Sequence, residues 1–362
     1  MSKRHSNTGR EIDVSPPGET LREMLDERSM SQADLARRMG RPAKTINEII
    51  NGKAAITSET AVELEIVLGA SAEFWTAREA RYRNALARAE QDERHALAVE
   101  WCGKFPMSQM AKYKWLDASK DKAPRVRELL GFFGVASEEQ WRSTYESLSV
   151  AYKTAAAFKS DAYALSAWLR RGEIEASRLP LARYEKSNFV EVLTNTRGLT
   201  TQAPNVFIPT LTERCAGAGV AIVFVPELPK SHVFGATRWL STETALIQLS
   251  VRYKTDGHLW FSFFHEAAHV LLHSKRSIFL EFGGSDNAEE EEANKWARDF
   301  LIPPNRLEKF LAVRQLSAAS IEAFANELGV SSGIVVGRLQ HDGIIPYHSH
   351  AGLVRRFEWR DP

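Results

Sequence analysis

The first seventeen residues are mostly polar and end in Pro16-Pro17, the pattern of a flexible arm. Short helical periods follow. Leu21, Met24 and Leu25 share a face over 18–28. Ser31 is placed to cap a helix over 32–39, with Leu35 and Ala36 inward and Gly40 as its stop. After Arg41-Pro42 a third period runs over 43–50 and halts at Asn51-Gly52. Thr57 or Ser58 caps a fourth through Ala61, Leu64 and Val67. Ser71 opens a fifth through Phe74 and Trp75 that runs on past Tyr82. The charge- and alanine-rich stretch 78–100 reads as a continuing or connecting helix. Amphipathic periods then cover 126–133, 138–152 and 161–171. The spacing of Trp141, Tyr145, Tyr152 and Phe158 suits a core better than a surface for stacking bases.

Near residue 203 the pattern changes. A helix over 207–218, with Pro209 in its first turn, precedes the apolar run 220–225, a short buried strand between Gly219 and Pro226. Two more strands, 235–241 and 244–250, are spaced as a hairpin turning at 241–243. An apolar helix spans Leu259 to Leu272. A second helix keeps Ala293, Trp296, Ala297, Phe300 and Leu301 on one face. Two further helices, 318–328 and 331–341, meet at Gly329. The predicted fold is mainly α with a small α+β part. It divides into an arm (1–17), a five-helix domain (18–85), a helical middle region (86–204), a core that holds the short strands and the apolar helix (205–305) and a helical extension (306–362).

The helix over 259–272 carries His-Glu-x-x-His. Residues four apart on a helix share a face, so His265 and His269 can grip one metal ion while Glu266, beside them, holds a water. Two histidine ligands, a glutamate base and an open coordination position are the parts of a zinc hydrolase. A third ligand is expected from the run Glu289 to Glu292 at the start of the next helix. Spacing does not choose among the four, although Glu289 and Glu290 fall closest to the apolar stripe and Glu292 at its edge. The small sheet beside this helix would offer an edge strand for an extended peptide. His341, His348 and His350 read as surface or supporting histidines.

His-Glu-x-x-His, followed by Glu-Ala-Asn-x-aromatic-Ala and a Leu-Ile-Pro exit, resembles the ImmA/IrrE family of metallopeptidases. The resemblance spans roughly 205–305. It implies one Zn2+ per chain, and it implies Glu292, the glutamate just before Ala-Asn, as third ligand. The sequence departs from the family pattern at Ala267-Ala268 and at Trp296, neither of which is a reacting group.

The pair of helices meeting at Gly40 has the layout of a helix-turn-helix, with Lys44, Thr45 and Asn47 on the outer face of the second. Arg37, Arg38, Arg41 and Lys44 gather at the turn in an otherwise acidic stretch, where they suit phosphate contacts. Asn and Gln can read adenine edges. Ser-Gln-Ala-Asp-Leu-Ala-Arg-Arg-Met-Gly (31–40), Thr-Ile-Asn-Glu-Ile-Ile-Asn-Gly-Lys (45–53), Ala-Ile-Thr-Ser-Glu-Thr-Ala (55–61) and Leu-Gly-Ala-Ser-Ala-Glu-Phe-Trp (68–75) resemble Xre/Cro-type repressor domains, above all HigA-type antitoxins. This implies that Gln32, Lys44, Thr45 and Asn47 face double-stranded operator DNA, with the chain a homodimer. Pro42 stands where a serine cap is common.

Composition adds limits. Hydrophobic content of 44% and charged content of 26% over 362 residues suit a soluble protein of two or three domains. Net charge is +1, so any nucleic-acid contact must come from a local patch. Cys102 and Cys215 make no disulfide framework, which fits a cytoplasmic protein. No stretch reads as a signal peptide or membrane span. Two functions fit. The first is a transcriptional regulator whose zinc endopeptidase cuts itself or a bound partner in response to a stress or phage signal. The alternative is an antitoxin that binds a cognate toxin and uses the zinc fold as a binding body.

Overall fold

Three helices of the first hundred residues begin where a hydroxyl takes up an orphaned backbone donor. Ser31 accepts from Asp34 N–H (3.1 Å), Thr57 from Thr60 N–H (3.3 Å) and Ser71 from Phe74 N–H (3.2 Å). The computed structural model describes residues 14–117, 119–146, 161–275, 278–281 and 288–358. Most of the expected arm therefore lies outside the described residues. The chain divides into two compact units, Met1–Val99 and Glu100–Pro362.

The first unit holds α1 (Pro17–Glu27), α2 (Gln32–Met39), α3 (Ala43–Ile50), α4 (Ser58–Leu68) and α5 (Ala72–Leu97). Leu21, Leu35, Ile46, Leu64 and Trp75 meet in one core. A Cβ on Gly18 would lie 2.3 Å from the carbonyl oxygen of Ile50, so α1 can start against the last turn of α3 only with glycine there. Gly40 ends α2 at φ 65°, and α3 begins at Ala43 without a side-chain cap from Pro42. The fifth helix is continuous for 26 residues. No glycine or proline interrupts it, so the first unit extends beyond the expected boundary at 85.

The second unit contains α6 (Lys122–Phe133), α7 (Ala162–Ala176), α8 (Lys186–Thr196) and α9 (Pro204–Gly217). After these come β1 (Val220–Phe224), β2 (Gly235–Trp239), β3 (Ala245–Leu249), α10 (Asp256–Leu272) and β4 (Phe279–Glu281). It ends with α11 (Ala288–Leu301), α12 (Pro304–Ala312), α13 (Ala318–Leu328) and α14 (Ser332–His341). Of the expected 138–152 helix, the described part is a helical turn, Glu138–Trp141, that widens into a π-helical turn, Arg142–Glu146; residues 147–152, with Tyr152, and Phe158 lie outside the described residues. The middle region is not separate. Trp168 of α7 donates from its indole to Val225 O (2.9 Å), Gln248 of β3 donates to Trp168 O (2.7 Å), and Arg238 of β2 pairs with Glu173 (2.6 Å).

Sheet order is β1-β3-β2-β4. The first and third strands run parallel, and β2 and β3 form the expected antiparallel hairpin. The fourth pairs antiparallel with β2, setting Glu281 opposite Gly235. Val220, Ile222 and Ile247 share a core with Leu259, Trp260, Phe263, Phe264 and Ala267 of α10. The start of α10 is held twice. A Cβ on Gly257 would lie 2.6 Å from Gly333 O, so α14 crosses at backbone contact. Buried Asp256 takes the Arg355 backbone N–H (3.2 Å) and guanidinium (3.2 Å), while Arg355 also donates to Thr201 O (3.0 Å). No helix among the described residues is long and apolar enough to cross a membrane.

Gly257→Ala should lower stability by about 1–3 kcal/mol, because its methyl meets rigid backbone. Gly337→Ala, with nothing within 4 Å, should raise it by about 0.5–1 kcal/mol. Thermal melts of the two variants check the close crossing of α14 over α10.

Candidate metal centre

On α10, His265 and His269 lie one turn apart with their Nε2 atoms 3.1 Å from each other. From α11, Glu290 sets one carboxylate oxygen 3.2 Å from His265 Nε2 and the other 3.5 Å from His269 Nε2. All three residues are buried. Four donors around a tetrahedral ion, each about 2.0–2.1 Å away, stand roughly 3.3 Å apart. The Nε2–Nε2 separation and the two Nε2–carboxylate separations, each to a different oxygen of Glu290, lie near that value, and one ligand atom from each residue lies within 4.8 Å of the others, so the three residues could hold one small cation.

The charges agree. Burial alone would depress His265, but its hydrogen bond to Glu290 and the carboxyls of Glu281, Glu266 and Glu290 push it up to about 9. Burial brings His269 down to about 4 against the pull of Glu290, and the charge on His265 adds to that fall. Burial would raise Glu290, yet the two histidines hold it at about 2. The carboxylate of Glu290 and the two imidazoles thus favour positive charge between them, which a divalent cation would supply. Beside it, Glu266 is fully buried and neither carboxylate oxygen has a hydrogen-bond partner among the described residues. Burial lifts its carboxyl well above the usual range, opposed by His265. Room for that carboxyl comes from Gly235, where a Cβ would lie 2.5 Å from Glu266 Oε1.

Glu292 does not join the cluster. Its side chain is 61% exposed and bonds His273 Nε2 at 3.2 Å. Helical register is the reason. Glu290 lies three, seven and eleven residues before the buried Ala293, Ala297 and Leu301, and Glu292 lies off that line. The apolar stripe was the signal for Glu290. His273, four residues after His269, repeats the spacing that pairs His265 with His269. Phe279 of β4, stacked on His269 at 4.1 Å, and Glu281 carried no sequence signal. None of His341, His348 and His350 belongs to the three-residue cluster.

In the first unit, Gln32, Lys44 and Asn47 are exposed and Thr45 half-buried, on α2 and the outer face of α3. Asn51 Nδ2 donates to the Asn47 carbonyl (2.8 Å) and side-chain oxygen. Arg41 is set apart from them. Glu63 grips its guanidinium through two hydrogen bonds and Glu59 pairs with it at 3.0 Å, and these bonds raise its pKa. Its charge ties the turn between α2 and α3 to α4.

A family model described as Helix-turn-helix matches residues 21–75. The uncharacterised HTH-type transcriptional regulator YddM of Escherichia coli (strain K12) is 35% identical over 77 residues, 21% of this chain and 78% of that protein. The chain belongs to the helix-turn-helix transcriptional regulators. In this regulator a second model, described as IrrE N-terminal-like domain, matches residues 221–340, from β1 through the metal cluster to α14. Domains of that kind are typically metal-dependent, and the His/His/Glu cluster is a possible site. The structure of an addiction module antidote protein of a HigA family from Coxiella burnetii is 30% identical over 22% of the regulator and 87% of that chain (TM-score 0.21). Antitoxin GraA is 30% identical over 23% and 85% (TM-score 0.20).

Glu290→Gln should weaken metal binding by at least about tenfold, by the scale of direct ligand and supporting changes. Glu292→Gln should cost less. Metal stoichiometry after dialysis against graded chelator distinguishes the two; equal losses, or the larger loss at Glu292, would return the ligand role to Glu292.

Proposed function

We propose that this regulator binds operator DNA through its first unit and is a zinc endopeptidase in its second, cutting itself or a bound protein partner. The observation that carries the peptidase reading is the meeting of three buried donors, His265, His269 and Glu290, beside the unpartnered carboxyl of Glu266. Zinc, when bound, supplies Lewis acidity to a peptide carbonyl and to water. His265, His269 and Glu290 hold the ion. Glu266 takes the proton of the attacking water and hands it to the leaving amine. β4 supports the substrate side. Among the described residues it pairs only with β2, which suits the addition of an extended peptide at its other edge, and its Phe279 stacks on His269.

On DNA, Lys44 at the exposed start of α3 suits phosphate contact, while Gln32 on α2 and Thr45 and Asn47 on α3 suit base edges. Homodimers on an inverted repeat fit this reading. A second reading is supported by the HigA-like pattern at 55–61 and 68–75. In it the regulator is an antitoxin that represses its operon and binds a toxin through the second unit, without cleavage.

Glu266→Gln should keep one zinc per chain and lose cleavage by about 100-fold or more. Incubation of both proteins with zinc and the co-purified partner, read by mass spectrometry, tests this; full cleavage by the variant would remove the peptidase mechanism, and no cleavage by either would favour the antitoxin. Lys44→Ala should lower DNA affinity and reduce the slope of log K against log salt by about 1. Arg41→Ala should leave that slope unchanged, because Glu59 and Glu63 already balance its charge.

A further inference from the structure

We infer that His273 and Glu292 form a relay that fixes the tautomer and ring plane of His269 for metal binding, with His273 as the positioning residue. The inference rests on the zinc reading above. His269 Nδ1 lies 2.8 Å from His273 Nδ1, and His273 Nε2 lies 3.2 Å from Glu292 Oε2. The proton positions along this chain follow from one condition. If His269 Nε2 offers its lone pair to the ion, the ring proton is on Nδ1. That N–H donates to His273 Nδ1, which must then be bare. The His273 proton is therefore on Nε2, where it donates to the Glu292 carboxylate. Each bond has one donor and one acceptor, and no other arrangement satisfies all three groups and the ion.

His273 is not itself a ligand. It contacts His269 through Nδ1, while His269 turns Nε2 toward His265 and Glu290. Its side chain is only 4% exposed although it sits at the end of α10, where its backbone N–H still bonds His269 O at 3.2 Å. Phe279 closes the remaining side by stacking on the His269 ring at 19°. The ring is held in its plane by an aromatic face and at its edge by a hydrogen bond, which is how supporting groups raise a ligand's affinity. His265 has no such support; its Nδ1 has no hydrogen-bond partner among the described residues. The two ligands from one helix are thus unequal, and His269 is the pre-set one.

The test uses full-length protein and chelator competition for zinc, with Co2+ absorption as a readout of ligand geometry. His273→Leu should weaken zinc by about 10–100-fold and alter the Co2+ spectrum. His273→Gln should recover most of the affinity, since an amide oxygen can accept from His269 Nδ1–H. Glu292→Leu changes an exposed residue, so it reports on the relay even if His273→Leu does not fold, and it should weaken zinc several-fold without lowering the melting temperature. Unchanged zinc affinity and Co2+ spectrum in Glu292→Leu and His273→Leu, with zinc lost in His269→Ala, would overturn the relay and leave the zinc site standing. Zinc retained at full affinity by His269→Ala would overturn the zinc reading beneath it.

Discussion

Two imidazoles and two carboxyls buried on the contact between α10 and α11 would cost several kcal/mol each if left uncompensated. The second unit is arranged to meet that cost. Glu290 faces both histidines, which hold its carboxyl low. The helix that carries the histidines is buried from Leu259 to Leu271 apart from the half-buried Phe261, so it has little freedom to relax away from Glu290. Gly235 opens space in β2 where the Glu266 carboxyl must sit, and Thr237 Oγ1 donates to the Glu266 carbonyl at 3.0 Å. Sheet, helix and donor set are one packing problem with one solution.

The first unit meets a different constraint. A surface that touches DNA needs unspent positive charge, while a turn between two short helices needs charge tied down. Arg41 and Lys44 differ in how far their charges are tied down. The guanidinium, planar and forked, is bound by Glu63 and Glu59. The ammonium of Lys44 stays 85% exposed, with only a loose pairing to Glu48 at 3.8 Å. Such an exposed pair is worth little and gives way readily to a phosphate.

Much of this was legible in the sequence where one local rule decided the outcome. Ser31 and Gly40 bound α2 at the residues expected, and Asn51-Gly52 ends α3 as read. The spacing of His265, Glu266 and His269 placed all three correctly on one buried helix. The third donor shows what decides between two guides. Resemblance points to Glu292, but the stripe Ala293, Ala297 and Leu301 turns Glu290 inward. β4 was not legible, because three residues carry no alternation and their strand character comes from pairing with β2. Nor was the attachment of the middle region to the sheet. It rests on contacts such as Trp168 to Val225, which are 57 residues apart and leave no local pattern.

The grip of Arg355 on Asp256 joins positions 99 apart in the chain. During synthesis the first turn of the histidine-bearing helix has left the ribosome long before the arginine that pins it. The first unit closes over its own core without waiting for that segment. Long-range contacts form late and slowly, and N-terminal units fold first. A nascent chain can therefore hold a finished helix-turn-helix while its His/His/Glu cluster is not yet pinned in place, so the order of translation separates the two units in time.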